Sequence, residues 1–279
     1  MNEEQISKLR STSIIIKDSL FKPLDAITHI ADFKEQELSE PFPTGFKKLD
    51  DCILGGFRGG DLVILSGLSK HGKSQISLQM TKAFSDKAFP VLWFSFEMPV
   101  STLRWRFKNM GGKDFNDKDL LCYLPKKNIS DKVEWLENRI TDASKRFYTK
   151  IVIIDNLDFL TIEQKHGDDK LTMQKRIVGM LKRIAIELDV VIILNAHTTK
   201  LAQGQKRPKM ENIYGASETY KLADLILFIY RKKEQSSWEA NNTEEPFSNE
   251  AELIIDGNRL TGQNRTINLS FKNNLYIEI

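Results

Sequence analysis

The segment that most constrains this chain is GLSKHGKS, Gly67 to Ser74, directly behind the apolar run DLVILSG. Its pattern, G-x-x-x-x-G-K-[ST], lets two glycines curl the backbone until several N–H groups face one anion, while a lysine reaches over the terminal phosphates. Such a loop needs a strand before it and a helix after it, and LVILSG and KSQISLQMTKAFSD supply both patterns. A plain glycine turn with a surface Lys-Ser pair would not require both glycines at that spacing. The loop therefore predicts a nucleotide site with Mg2+. Gly67, Ser69, Lys70, His71, Gly72 and Gln75 lie around the phosphates, Lys73 neutralises the β- and γ-phosphates, and Ser74 holds the metal.

The rest of the chain repeats the same alternation. Apolar β-type runs at LVILSG, VLWFSFEM, KIVIIDNLDFL, VVIILNAH and LADLILFIYR alternate with helical patterns at KSQISLQMTKAFSD, VSTLRWRFKNM, DKVEWLENRITDASKRF and LTMQKRIVGMLKRIAIELD. Continuous apolar strands separated by amphipathic helices predict an α/β fold, a mostly parallel sheet flanked by helices on both faces. The last segment, AELIIDGNRLTGQNRTINLSFKNNLYIEI, reads as alternating strands joined by turns, an antiparallel C-terminal extension. Residues 1–42 hold too little apolar surface for a core and are expected to be an arm or linker helix, with residues 43–279 as the main domain.

Composition narrows the classes. A formal charge of +3 with 28% charged residues argues for neither nucleic acid nor membrane globally, so any basic surface is local. Cys52 and Cys122 stand far apart without neighbouring histidines, which reads as reduced packing residues in a cytoplasmic protein. No apolar stretch approaches the length of a membrane span, and MNEEQISKLR has acids where a signal peptide has its basic start.

In open α/β sheets ligands gather at the carboxyl ends of strands, where the remaining candidates fall. Asp155 ends the run Ile151 to Ile154 and is placed to orient the water shell of Mg2+. Glu97 ends VLWFSFEM and is placed to orient, or take a proton from, the water attacking the γ-phosphate. His197 ends VVIILNAH; a lone histidine there is commonly structural, but a long polar loop follows it with Lys200, Lys206, Arg207 and Lys209. Such a loop suits a phosphate backbone, although a solvated charge run has the same composition.

Together these residues resemble the RecA-like motor domain of DnaB-like hexameric replicative DNA helicases, a family that includes phage and mitochondrial primase-helicases. The resemblance runs from PTGFKKLD to the C-terminus and leaves out only the arm. FSFEM is similar to the family's glutamate motif, which implies Glu97 as catalytic base, and VIIDNLDFL to its Walker B segment. His197 matches the histidine form of its γ-phosphate sensor. YGASETYKLADLILFIYR implies an adenine-side contact from Arg231, and Phe271 falls where the family has an aromatic beside the base. GNRLTGQNRTINLSFKNN is similar to the K-x-R segment, which implies Arg259 as an arginine finger offered to a neighbour's ATP. Two positions depart from the family: Gly257 replaces the lysine before the finger, and Tyr214 replaces an arginine near DNA, where it is expected to stack on a base.

The resemblance implies an ATP hydrolase forming a homo-hexamer on single-stranded DNA, with a primase or helicase loader as further partner, in a bacterial cytoplasm and of phage type by its small size. Residues 12–30 of the arm are expected to dock on the adjacent subunit. A RadA-like recombinase or annealing ATPase that forms filaments is the alternative within the fold. An ATP-dependent assembly module without turnover is the alternative outside it, and Glu97 argues against that one.

Overall fold

A computed structural model of the chain describes residues 39–110, 119–126, 133–158, 170–199, 201, 205, 207–213, 220–233 and 247–279. The chain divides into two compact units, Met1–Glu40 and Pro41–Ile279. The architecture below belongs to the second; residues 1–38 of the expected arm lie outside the described residues.

The described elements are α1 (Lys47–Cys52), β1 (Leu62–Gly67), α2 (Lys73–Asp86), β2 (Val91–Ser95), α3 (Val100–Lys108), β3 (Cys122–Tyr123), α4 (Val133–Phe147), β4 (Ile151–Asp155), α5 (Lys170–Leu188), β5 (Val191–His197), β6 (Leu225–Lys233), β7 (Phe247–Asn258), β8 (Arg265–Lys272) and β9 (Leu275–Glu278). They form one nine-stranded sheet in the order β3-β2-β4-β5-β1-β6-β7-β8-β9. The first six positions are parallel and β7, β8 and β9 are antiparallel. This is the mostly parallel sheet with an antiparallel extension that the alternation predicts.

The strands are apolar on both faces because both faces are covered. One face buries Val63, Leu65, Trp93, Ile153 and Leu227 against Ile76, Met80 and Phe84 of α2. The other buries Ile64, Phe94 and Ile154 against Leu136 and Ile140 of α4 and Leu181 and Ile184 of α5. Full burial of each such side chain stabilises the fold by about 1.5–3 kcal/mol before entropy is counted. Cys52 lies in the first core, and both cysteines are free thiols. No helix among the described residues is long and apolar enough to cross a membrane.

Candidate active site

The loop between β1 and α2 has the conformation its glycines permit. Gly67 takes a φ of +155°, and a Cβ there would stand 2.5 Å from the carbonyl oxygen of Ile229 on β6. Gly72 takes +104°, and a Cβ there would fall 2.0 Å from the Tyr276 hydroxyl. That hydroxyl donates to the carbonyl of His71 at 3.1 Å, and burial pushes the phenol up to about 12, so it stays a neutral donor. Ser69 and Lys70 form the exposed tip. The cap residue Gly72 offers no side-chain bond to α2, which leaves the first-turn N–H groups to the loop mouth. His71 differs from the expectation for a phosphate-facing side chain. Its ring is buried between Tyr230 and Phe247, and its Nδ1 accepts from the Arg231 backbone N–H at 2.9 Å. The ring therefore docks the loop onto β6 and leaves only the backbone at this position to face a ligand.

Three groups expected at the phosphates and metal meet at the loop. Lys73 Nζ donates to the carbonyls of Gly67 at 2.8 Å and Leu68 at 3.1 Å. Burial lowers its pKa to about 8, against the pull of Asp155 and Glu97. Ser74 Oγ donates to Asp155 Oδ2 at 2.8 Å. Burial raises the Asp155 carboxyl, opposed by the Asn195 amide and the Ser74 hydroxyl. Asp155 Oδ1 is buried without a hydrogen-bond partner of normal geometry, and so is Asn195 Nδ2. A hydroxyl, a carboxylate and one unsatisfied carboxylate oxygen form a hard-oxygen set that suits Mg2+, which binds few protein groups. Among the described residues no cluster of three or more His, Cys, Asp or Glu side chains competes as a metal site.

Glu97 lies beyond the end of β2, which stops at Ser95. The Asp155 carbonyl accepts from the N–H groups of both Phe96 at 2.8 Å and Glu97 at 3.3 Å, which holds the glutamate beside β4. Asn156 Nδ2 donates to Glu97 Oε2 at 2.7 Å and lies 3.0 Å from His197 Nε2. Asn156 Oδ1 accepts from the Asp158 N–H at 3.0 Å, which orients the amide. Burial and the Lys73 charge hold the His197 pKa below its usual value, against the pull of Glu97. Sequence reasoning missed Asn156; its signal was its place, the residue after a strand-ending aspartate.

A cavity of about 260 Å³ adjoins the loop, lined by Gly72, Gln75, Trp105, Arg231, Phe271 and Tyr276 among others. The Arg231 guanidinium lies 4.6 Å from the Phe271 ring centroid and 5.1 Å from that of Phe247. These two residues, named by resemblance for the base, thus stack on each other at the edge of a cavity that opens beside the phosphate loop. Trp105 was also missed. It is an exposed aromatic on α3, a segment read from sequence only as a helix.

Residues 34–203, more than half of the chain, match the AAA domain family. The chain belongs to that family. As an AAA domain it is 27% identical over 263 residues to the replicative DNA helicase DnaB of Mycoplasma genitalium, covering 82% of this chain and 54% of the relative. It is 25% identical over 301 residues to a probable replicative DNA helicase of Trieres chinensis, covering 98% and 65%. The chain spans less than two thirds of the length of these curated relatives. In fold it is similar to a solved ATPase domain, with a TM-score of 0.72 at 22% identity, covering 89% of this chain and 95% of the other. It is also similar to a DnaB-like replicative helicase whose structure describes interactions with primase, with a TM-score of 0.70 at 22% identity over 88% and 64%. The resemblance to DnaB-like proteins holds in sequence, and the fold of this AAA domain is the RecA-like ATPase fold.

Arg259 is not brought to the phosphate loop. It follows Asn258, which pairs with Leu225 at the start of β6, and Leu225 pairs with Val63 near the start of β1. The phosphate loop leaves the other end of β1, so this AAA domain carries its cradle and its expected finger at opposite ends of the parallel strands. Arg259 Nη2 donates to the Lys221 carbonyl at 2.5 Å, and Nη1 lies 3.5 Å from Asp224 Oδ1. Asp224 in turn pairs with Lys182 at 2.6 Å and accepts from the Leu62 N–H at 2.8 Å. Gly257 packs on Ile226, where a Cβ would come within 3.3 Å of Ile226 Cδ1. Of the expected DNA contacts, Lys200, Lys206 and Tyr214 lie outside the described residues. Lys209 is exposed, whereas the Arg207 guanidinium is committed to Glu252 of β7.

Proposed function

We propose that the chain is the motor of an ATP-driven, ring-forming translocase that moves on single-stranded DNA and unwinds duplex during replication. The observation that carries this reading is the placement of Lys73 and Arg259 at opposite ends of the parallel strands. A guanidinium so placed has no access to its own subunit's phosphates, yet it is exposed at the end of the parallel strands away from the phosphate loop, where a head-to-tail neighbour could receive it. The names of the relatives and the RecA-like fold support the same reading.

In this scheme the backbone of residues 67–72 and the start of α2 bind the triphosphate, and Lys73 exchanges the carbonyls of Gly67 and Leu68 for phosphate oxygens. Ser74 and Asp155 would hold Mg2+, which would supply charge neutralisation to the triphosphate. Glu97, held by Asn156, orients the attacking water and accepts its proton. His197 reads the γ-phosphate at the head of the segment that follows β5. Arg231 and Phe271 flank the base. Arg259 of the next subunit stabilises the transition state, a contribution of ~10³–10⁵ in rate. Lys200, Lys206, Lys209 and Tyr214 contact the DNA strand at the ring centre, and the arm, residues 12–30 above all, joins neighbouring subunits. The partners are single-stranded DNA, further copies of this chain in a hexamer, and a primase or loader. The setting is replication in the bacterial cytoplasm, on a host or phage replicon.

The test is the assembly state beside turnover. The chain is purified and imaged with an ATP analogue and an oligonucleotide while ATPase rate is measured against protein concentration. Closed rings and a rate per subunit that climbs with concentration are expected; a solitary chain that turns over ATP at full rate overturns the reading.

A further inference from the structure

Arg207 belongs to the basic segment behind β5, yet its Nε and Nη2 donate to the two carboxylate oxygens of Glu252 at 2.5 and 2.6 Å. The two side chains differ sharply in setting, with 55% exposure for Arg207 and 3% for Glu252. If the guanidinium swung out to a phosphate, it would leave a buried carboxylate without its partner, and two-pronged charged bonds of this kind are the strong ones. The pair therefore resists the movement that a phosphate contact by Arg207 would require.

The same segment is fastened elsewhere. The Met210 N–H donates to Asp256 Oδ2 at 2.7 Å. Thr198 pairs with Ile213 in an antiparallel bridge, and the Thr199 N–H and hydroxyl both reach the Asn212 carbonyl, at 2.6 and 2.9 Å. Glu252 lies on the β7 face that carries Ile254, and Asp256 sits at the irregularity where the pairing of β7 with β6 shifts between Ile255 and Gly257. β7 ends at Asn258, next to Arg259. At the other end, Thr198 follows His197, and its N–H donates to the Gly67 carbonyl at 3.3 Å. Residues 207–213 thus touch both the strand that ends at the nucleotide cluster and the strand that ends at the finger.

We propose that Arg207 is a positioning residue and not a phosphate ligand: with Glu252 it straps the segment behind His197 onto β7, so that a change at the Glu97–Asn156–His197 cluster reaches the strand bearing Arg259. The strap rests on the reading of this chain as a DNA-stimulated ATPase with a finger in trans. Its signature is a loss of coupling without a loss of DNA charge contacts.

The experiment uses the full chain with oligo(dT), as wild type and as Arg207→Ala, Arg207→Lys, Glu252→Gln, Lys209→Ala and the Arg207→Ala/Glu252→Gln double variant. Affinity is measured against salt, and ATPase at saturating oligonucleotide. Removing a phosphate ligand flattens the slope of log K on log [salt] by about 0.7 on a single strand, which is expected for Lys209→Ala and not for Arg207→Ala. Arg207→Ala and Glu252→Gln should each lower DNA-stimulated kcat by about threefold to thirtyfold with KM for ATP retained. The double variant should be no worse than either single one, because both break one unit. Arg207→Lys, which keeps the charge and loses the two-pronged contact, should recover part of the stimulation, a rescue that a misfolded segment would not give. A flattened slope for Arg207→Ala, or wild-type stimulation in Glu252→Gln, overturns the strap. A wild-type chain that binds no oligonucleotide overturns the DNA reading itself, and the strap's purpose with it, before any variant is compared.

Discussion

Glu97 and His197 are joined through a single nitrogen, Asn156 Nδ2, which lies 2.7 Å from the carboxylate and 3.0 Å from the imidazole Nε2. An amide nitrogen has only donors, so Nε2 must present its lone pair and the ring proton sits on Nδ1. Burial and the Lys73 charge keep that ring neutral, in agreement with the geometry. Glu97 and His197, the proposed base and sensor, are thereby held in register with each other.

Loss of this amide should uncouple the pair. Asn156→Ala is expected to lower kcat for ATP by ~10–10²-fold, a part of what a positioned general base contributes, with KM little changed. Asn156→Asp should be worse, since it sets a second carboxylate against Glu97. Steady-state kinetics on both variants check this; a large rise in KM at unchanged kcat would assign Asn156 to binding instead.

If Lys73 meets phosphate as proposed, nucleotide binding should take up protons. The Lys73 pKa of about 8 lies below the ordinary 10.5, so between those values the folded chain holds fewer protons than the unfolded one. Stability should therefore rise with pH across that window, and the cost of the buried charge is present in full below it. Phosphate oxygens restore the ordinary preference for the charged form, so binding at pH ~8.5 should take up at most about three quarters of a proton. Calorimetry in buffers of different ionisation enthalpy reads this uptake. Lys73→Met should abolish it and raise the melting temperature of the nucleotide-free chain at neutral pH; a lowered melting temperature would contradict the burial cost.

Arg259 should matter only in company. Arg259→Ala is expected to retain nucleotide binding and lose ~10³-fold or more in turnover. Mixing it with Lys73→Ala should restore part of the activity, because a mixed ring contains seams with an intact cradle on one side and an intact finger on the other. Absence of any recovery at concentrations where mixed assemblies are seen would place Arg259 outside the reaction.

Gly72 is held by its neighbour as much as by its own backbone. Gly72→Ala should cost about 1–3 kcal/mol in stability, read by thermal melting, through the positive φ and the clash with Tyr276. Adding Tyr276→Phe should recover the part due to the hydroxyl, 2.0 Å from the new methyl, and leave the part due to the positive φ, since the ring carbons at 3.0 and 3.2 Å need only a small shift. Full recovery would reduce the requirement for glycine to the hydroxyl alone.

Legibility in the sequence followed the range of the interactions. LVILSG and KSQISLQMTKAFSD coincide with β1 and α2, since a buried strand, a glycine turn and a helix start are all settled within a few residues of each other. VLWFSFEM overran its strand, because β2 ends where Phe96 and Glu97 turn to the Asp155 carbonyl, a partner about sixty residues along the chain. The alternation of runs likewise could not announce that His71 turns inward: that depends on Tyr230 and Phe247, brought there by the pairing of β6 with β7.

By itself the sequence determined a phosphate loop between a buried strand and a helix, acidic and imidazole groups at strand ends, and a parallel sheet closed by antiparallel strands. Only the tertiary structure decided that Asn156 bridges Glu97 and His197, that Arg207 answers to Glu252, and that Lys73 and Arg259 sit at opposite ends of the sheet. The first set rests on periodicity and local backbone geometry. The second rests on strand order and side-chain contacts between distant segments, which periodicity does not encode.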